Sequence, residues 1–337
     1  MTILYDYIII GAGMSSLYFA YKILQLNPKL KILILERTTR IGGSINTINI
    51  NNKIYIEAGT EKFCPELHPL LVDIIKQVGL LSKLKRTNNG LNFVLADKQY
   101  TSVEDDGFPF NTDGFDNVNE LIAEAYDIYI KTGGDVSQLY KISTTYLLEK
   151  NTTCDQLRFI KSTYPYWSLL YLTNAEEGEK HLLSTKVQGD HYRLMGGLSQ
   201  IVRYLFKNLQ KKGCLVKLKH RVIRLNESDD LSEVIVKDKN SEKSFYTKNI
   251  IMAIPPSAIK KIKTSILNSN ISGLLNSFVP VPTCRVYMVF PKNNGKVWFS
   301  GLPQIVTSNP LNYIVPVSES NGVIMVSYTD GQYTIPI

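Results

Sequence analysis

The stretch Tyr5-Asp6-Tyr7-Ile8-Ile9-Ile10-Gly11-Ala12-Gly13-Met14-Ser15-Ser16 decides how the rest of the chain is read. An isoleucine-rich run breaks at a glycine, and a helical apolar pattern takes over from Leu17 to about Leu26. A strand that turns through glycines into a helix suits a phosphate. Gly11 permits the tight turn, and Gly13 lets the backbone approach a pyrophosphate. Met14, Ser15 and Ser16 open a helix whose unpaired N–H groups and positive dipole end face the anion. Ser16 stands where the G-x-G-x-x-G pattern has its third glycine, whose task is close packing of helix on strand; a serine is small enough to serve at a modest packing cost.

The next residues strengthen the reading. Lys29 to Leu35 is a second strand, with Ile32, Leu33, Ile34 and Leu35 apolar on both faces as in a buried parallel strand. Strand, helix and strand form a β-α-β unit of about 30 residues. Glu36 ends it about 20 residues after the glycine loop, where a carboxylate accepts hydrogen bonds from ribose hydroxyls. That residue fits NAD and FAD equally. Arg40-Ile41-Gly42-Gly43 follows at once and can lay backbone N–H groups and a cation on the same pyrophosphate.

Composition narrows the classes. With 337 residues, 44% hydrophobic and 20% charged, the chain is too apolar for disorder and long enough for two domains. The net charge of +8 comes from 29 lysines and only 9 arginines, scattered among Ile and Asn. Arginine is the residue whose fork reads phosphates and bases best, so no nucleic-acid partner is expected. Cys64, Cys154, Cys214 and Cys284 lie far apart with no C-x-x-C pair, against a zinc knuckle or a disulfide framework and in favour of a reducing, cytoplasmic compartment. Neither a signal peptide nor an apolar stretch of the roughly 18 to 20 residues of a membrane span is expected. His68, His181, His191 and His220 show no metal spacing.

Further along, Glu66 to Leu80 reads as an amphipathic helix closed by Gly79, and Val118 to Lys131 as another. The pattern loosens between Lys85 and Gly189, where Tyr164, Tyr166 and Trp167 read as core in preference to the wall of a substrate pocket. After Gly196-Gly197 come a helix from Leu198 to Lys212 and short strands at 215–219, 221–225, 233–237 and 244–246. Asn249 to Ile254 is a buried strand ended by Pro255-Pro256. Cys284 to Phe290 and Gly322 to Tyr328 read as paired strands with a loop between.

At Glu36, Arg40, Ile41, Gly42 and Gly43 the sequence resembles the flavin-containing amine oxidase family. The family's next acidic residue and glycine are matched by Glu57-Ala58-Gly59-Thr60, while its usual arginine after the glycine pair is Ser44 here. Met195-Gly196-Gly197-Leu198 resembles the glycine pair re-entering the flavin domain. Val222 resembles the valine whose backbone meets the adenine, and Ile250 to Pro256 the buried strand ending in proline. The resemblance implies an α/β fold, a Rossmann-like FAD-binding domain (1–85 and 190–262) interleaved with an α+β substrate domain (86–189 and 263–337). Family members carry a further C-terminal glycine-containing segment over the flavin. This sequence stops before it, so the substrate domain is expected to be incomplete at its C-terminus.

FAD is the implied cofactor and an amine or amino acid the implied substrate, oxidised by hydride transfer to flavin with oxygen as acceptor. The absence of a second glycine-rich β-α-β unit agrees, since NADPH then has no evident site and electrons come from the substrate. Many family members place a lysine where Pro282-Thr283-Cys284-Arg285-Val286-Tyr287 has Arg285. An arginine there can stabilise charge on reduced flavin but cannot act as a base. Two other readings share the N-terminal fingerprint: a desaturase or protoporphyrinogen-oxidase-like dehydrogenase, and a non-catalytic binding protein like the Rab GDP-dissociation inhibitors. The intact pyrophosphate residues argue against the last. A polyamine would want an acidic funnel, for which Glu104 to Asp106 and Glu176 to Glu179 are the candidates, the alternative being that both are solvated loops.

Overall fold

A computed structural model describes residues 3–50, 54–87, 90–186, 190–228, 230–238, 241–265 and 267–334. Four parallel strands run side by side in the order Ser241–Met252, Leu4–Ile10, Ile32–Leu35 and Leu215–Lys217. Every side chain of Ile32–Leu35 is buried, because both faces of this sheet are covered. Ile9, Ile32 and Ile34 point to a layer of two helices, Met14–Leu26 and Ser199–Lys211. These helices present Leu17, Ala20, Tyr21 and Leu24, and Ile201, Val202, Leu205 and Leu209, at the i, i+3, i+4 spacing of an apolar stripe. Ile8, Ile10, Leu33 and Leu35 point the other way, onto Val222, Leu225, Val234, Val236 and Ile262. The alternation along each strand thus feeds two cores at once.

Strands Arg221–Asn226 and Ser232–Asp238 extend the sheet as an antiparallel meander from the first half of Ser241–Met252. That strand corrects the sequence reading, which expects two runs at 244–246 and 249–254. Its neighbour on one side is antiparallel up to Thr247, while on the other side Tyr246 to Met252 lie parallel to Leu4–Ile10. Thr247 is fully buried and its hydroxyl bonds the Asn249 carbonyl at 2.9 Å, so the chain passes through the polar residues without leaving the sheet. The helix expected from Glu66 begins later, at Pro69, because a proline is favoured at the first helical position and the residues before it form a turn closed by the His68 N–H on the Cys64 carbonyl at 3.0 Å. Gly79 closes its C-terminus at φ +72°.

A second six-stranded sheet has the order Thr283–Val289, Val323–Asp330, Tyr313–Ser318, Gln304–Thr307, Leu91–Leu95, Lys98–Tyr100. It combines strands from before and after the 190–262 segment, with Gln304–Thr307 parallel to Leu91–Leu95. Helices Val118–Lys131, Thr144–Asn151, Cys154–Thr163, Trp167–Tyr171 and Ala175–Lys186 pack beside it, around Phe93, Phe159, Ile160 and Val306. Tyr164 lies in this core, as expected. Among the described residues, no helix is long and apolar enough to cross a membrane.

Candidate functional site: a dinucleotide cleft and the charged junction beyond it

Strands Leu4–Ile10, Ile32–Leu35 and Ser241–Met252 all end at one cleft of about 580 Å³, where an open α/β sheet is expected to bind its ligand. Ile10, Leu35 and Met252 form its apolar floor, with Val222, Ile254 and Ile262 on the wall. Gly11, Gly13, Met14, Ser15, Glu36, Arg40 and Gly43 line it together. Residues far along the chain from the glycine loop complete it: His220, Arg221, Pro255, Ala258 and Lys261. Sequence reading missed His220, Ala258, Lys261, Arg37 and Thr38, although the Arg221-Val222-Ile223 run and the Asn249 to Ile254 strand ended by Pro255-Pro256 were recognised. The available signal was the rule that loops at the carboxyl ends of parallel strands carry the ligand.

Glu36 is nearly buried, yet only part of its capacity is used. One oxygen accepts the Ala12 N–H at 2.9 Å and the other the Thr38 N–H at 2.8 Å. A carboxylate has about four lone-pair sites, so two remain to meet a diol. The loop after Glu36 is held on both sides, by His220 N–H to the Glu36 carbonyl at 2.8 Å and Gly42 N–H to the Ala12 carbonyl at 2.7 Å.

The glycines divide by what they spare. Gly11 has φ +98°, and a Cβ on it would come 2.6 Å from the Ala253 carbonyl oxygen, so its identity is demanded by folding. Gly42, at φ +109°, would strike the Ile45 carbonyl in the same way. Gly13 is different. Its φ of −76° suits any residue, and a Cβ there would meet nothing nearer than the Gly43 Cα at 4.0 Å. The fold leaves that space in the cleft open, at the start of Met14–Leu26, whose N-terminus has no side-chain cap and no acidic residue in its first turn. These features fit a pyrophosphate. Arg40 stands beside it with its guanidinium donating to the Gly43 carbonyl at 2.7 Å and the Ile45 carbonyl at 3.3 Å, which shapes the second glycine loop. Ser16 lies behind the cleft, 1% exposed, its hydroxyl donating to the Gly13 carbonyl at 2.8 Å.

Gly59 and Thr60 lie outside the cleft's lining, on a segment tied to it: Thr60 N–H donates to the Ser44 carbonyl at 3.1 Å, and Ser44 is in the lining. A Cβ on Gly59 would come 1.7 Å from the same carbonyl oxygen. Strand Thr283–Val289 of the second sheet is fastened here. Arg285 donates to the Gly59 carbonyl, and the Tyr287 hydroxyl to the Glu57 carbonyl at 2.9 Å. The Arg285 guanidinium also sits 4.8 Å from the Tyr328 ring. Burial works against its charge, but Tyr287, Tyr328 and Glu61 outweigh that and hold it protonated. The Glu57 carboxylate accepts the Leu198 N–H at 2.6 Å and the Thr47 hydroxyl at 2.9 Å, joining the segment to the helix after Gly196-Gly197; burial raises its pKa against those bonds. Beside it, Glu61 pairs with Arg193. His191 is half-buried and its pKa is lowered, by burial first and then by Lys62 and His68.

The fold and the cleft define a dinucleotide-binding protein of doubly wound α/β type whose second sheet closes on the far end of the cradle. A family model for flavin-containing amine oxidoreductases matches residues 14–334. The chain belongs to that family. It is 25% identical over 281 residues to the flavin-containing amine oxidase A of Canis lupus familiaris, covering 77% of this chain and 51% of that protein. It is 24% identical over 275 residues to the L-amino-acid oxidase BjussuLAAO-I of Bothrops jararacussu, covering 76% and 54%. These two are therefore spanned over about half their length. A redesigned triple mutant of putrescine oxidase has the same fold, with a TM-score of 0.76 at 16% identity over all of this chain and 77% of that one.

Proposed function

We propose that the cleft holds FAD and that the protein is an FAD-dependent oxidoreductase acting on an amine or amino acid. The observation that carries this is the open space at Gly13, left free by the fold between an uncapped helix N-terminus and Gly43. Glu36 would take the ribose hydroxyls, Val222 and the apolar floor the adenine, and Gly13, Met14, Ser15, Arg40 and Gly43 the pyrophosphate. Residues 1–85 and 190–262 form the cofactor-binding part in this reading, and 86–189 with 263–337 the substrate part. The four cysteines are all free, which supports a reducing, cytoplasmic setting.

When bound, the flavin supplies a hydride acceptor for a carbon next to nitrogen and passes the electrons on, with oxygen the expected acceptor. The chain's own residues orient and enclose. Arg285, fixed by the Gly59 carbonyl and the Tyr328 ring, holds a permanent positive charge at the junction and does not move a proton. Tyr166 packs edge-on against Tyr328, with ring centroids 6.1 Å apart, and backs the ring on which Arg285 rests. The test is to purify the protein, record flavin absorbance, and follow peroxide release over a panel of amines and amino acids. Flavin bleaching by a panel member with peroxide release supports the reading, and a colourless protein that takes up no FAD refutes it.

A further inference from the structure

Lysines are spread along the whole chain, but acids are not. Residues 243–318 contain eight lysines and arginines and no Asp or Glu, so the net charge of +8 belongs to this stretch and the remainder is neutral. Within it lies the helix Ser269–Ser277, capped by Asn268, whose side chain accepts the Ile271 N–H at 3.0 Å. Ile271, Leu274, Leu275 and Phe278 fall at i, i+3, i+4 and i+7, an apolar stripe on one face. The other face is Ser, Asn and Gly throughout. Among the described residues nothing covers the stripe. No residue of the helix is buried, and none of the four joins any of the hydrophobic cores. Leu274 is 67% exposed and Phe278 60%.

A helix of nine residues rich in Ser, Asn and Gly does not hold itself in water, where about 12 to 15 residues of better formers are needed. Its stability has to come from covering the stripe, and the charges around it select what covers it. Lys260 and Lys263 lead into the helix, are exposed, and have no ion-pair partner among the described residues. Backbone bonds pin this segment to the meander: Lys263 N–H donates to the Ile223 carbonyl at 3.0 Å, and the Lys263 carbonyl accepts the Leu225 N–H at 2.9 Å. Glu227, the acid that reaches the segment, is taken up by the Thr264 and Ser265 hydroxyls. A second copy docked through this face would bring like charges together, which is unfavourable. A folded partner is selected by matched charges, and the polar face of the helix has none to match. An anionic lipid surface suits both features. It requires no register, admits an apolar stripe to the acyl boundary, and meets lysines at the level of its headgroups.

We propose that Ser269–Ser277 and Phe278 form a membrane-surface helix. It lays Ile271, Leu274, Leu275 and Phe278 into the interface of an anionic bilayer while Lys260 and Lys263 meet the lipid headgroups. This docking is independent of what the cleft holds.

The experiment sediments the purified chain with vesicles of phosphatidylcholine, alone or mixed with phosphatidylserine. Binding to the mixed vesicles should be at least about tenfold tighter than to the neutral ones. Lys260→Gln combined with Lys263→Gln should weaken it by about tenfold, and Leu274→Ser combined with Phe278→Ser by about 30-fold. Melting temperatures should stay unchanged, because all four side chains are exposed. Leu274→Trp reads the insertion directly: its emission should shift to the blue on mixed vesicles by more than that of the wild type. No sedimentation with mixed vesicles, equal binding to both compositions, or binding that survives the paired serine substitutions would overturn the proposal. If the serine pair unfolds the chain, Leu274→Trp decides, and emission that does not move on mixed vesicles would overturn it. A dimer in solution that Leu274→Ser breaks apart would give the stripe to a second copy and overturn it too. FAD uptake by the lysine and serine variants should match the wild type, so a failure here leaves the cofactor reading standing.

Discussion

Replacing Gly13 with valine should remove the cofactor and spare the fold. The backbone at Gly13 is extended, with φ −76° and ψ 178°, a region β-branched residues favour. The new Cβ makes only ordinary contact with Gly43 at 4.0 Å. Valine is a poorer residue than glycine before a helix, so apoprotein stability should fall by about 1 kcal/mol and its melting temperature by a few degrees. The two added methyls enter the space assigned to the pyrophosphate. Displacing it from two charge-assisted hydrogen bonds, each worth about 1.5 to 3 kcal/mol, weakens FAD binding by about 10² to 10⁴-fold. The assay is fluorescence titration of FAD into matched apoproteins, beside melting curves without FAD. Apoprotein curves are needed because bound ligand adds its own stabilisation. A variant that melts within a few degrees of wild type and binds FAD within threefold of it would refute the reasoning.

Gly59→Ala should fail to accumulate as soluble protein, because its Cβ would lie 1.7 Å from the Ser44 carbonyl oxygen; a yield and circular dichroism spectrum like wild type would contradict the packing described. Glu36→Gln should weaken FAD binding by about tenfold or more and cost about 1 to 3 kcal/mol of stability, since an amide can no longer accept both the Ala12 and Thr38 N–H groups; FAD titration and denaturant melts check both. Lys62→Met should raise the melting temperature at neutral pH. The folded pKa of Lys62 lies below its ordinary 10.5, so its penalty is full below the folded value and vanishes above 10.5, and the gain from methionine should shrink as pH rises through that window. A gain independent of pH would show that the charge is not the cause.

Much of the cradle was legible because its parts are neighbours in the chain: Gly11, Gly13, Glu36, Arg40 and Gly43 fall within one β-α-β unit and the loop that follows it, and chemistry dictates their spacing. Val118–Lys131 was legible to the residue, since Asn117 caps it and its apolar stripe is regular. The helices between 144 and 186 were not read. They are short and pack partly against one another, so their apolar faces blur, although Ser143 and the Thr153–Gln156 capping box were available signals. The long strand 241–252 was split because a change from antiparallel to parallel neighbours leaves no local pattern. The charged junction beyond the cradle was invisible for a plainer reason. Glu61 and Arg193 meet across 132 residues and Arg285 reaches Gly59 across 226, and nothing in the spacing of charges announces such meetings.

The most direct measurement of the central claim is the stoichiometry of flavin released from the denatured, purified protein after reconstitution with excess FAD and removal of the free cofactor. One FAD per chain is the expected result. A natively folded protein from which no FAD is recovered would contradict it.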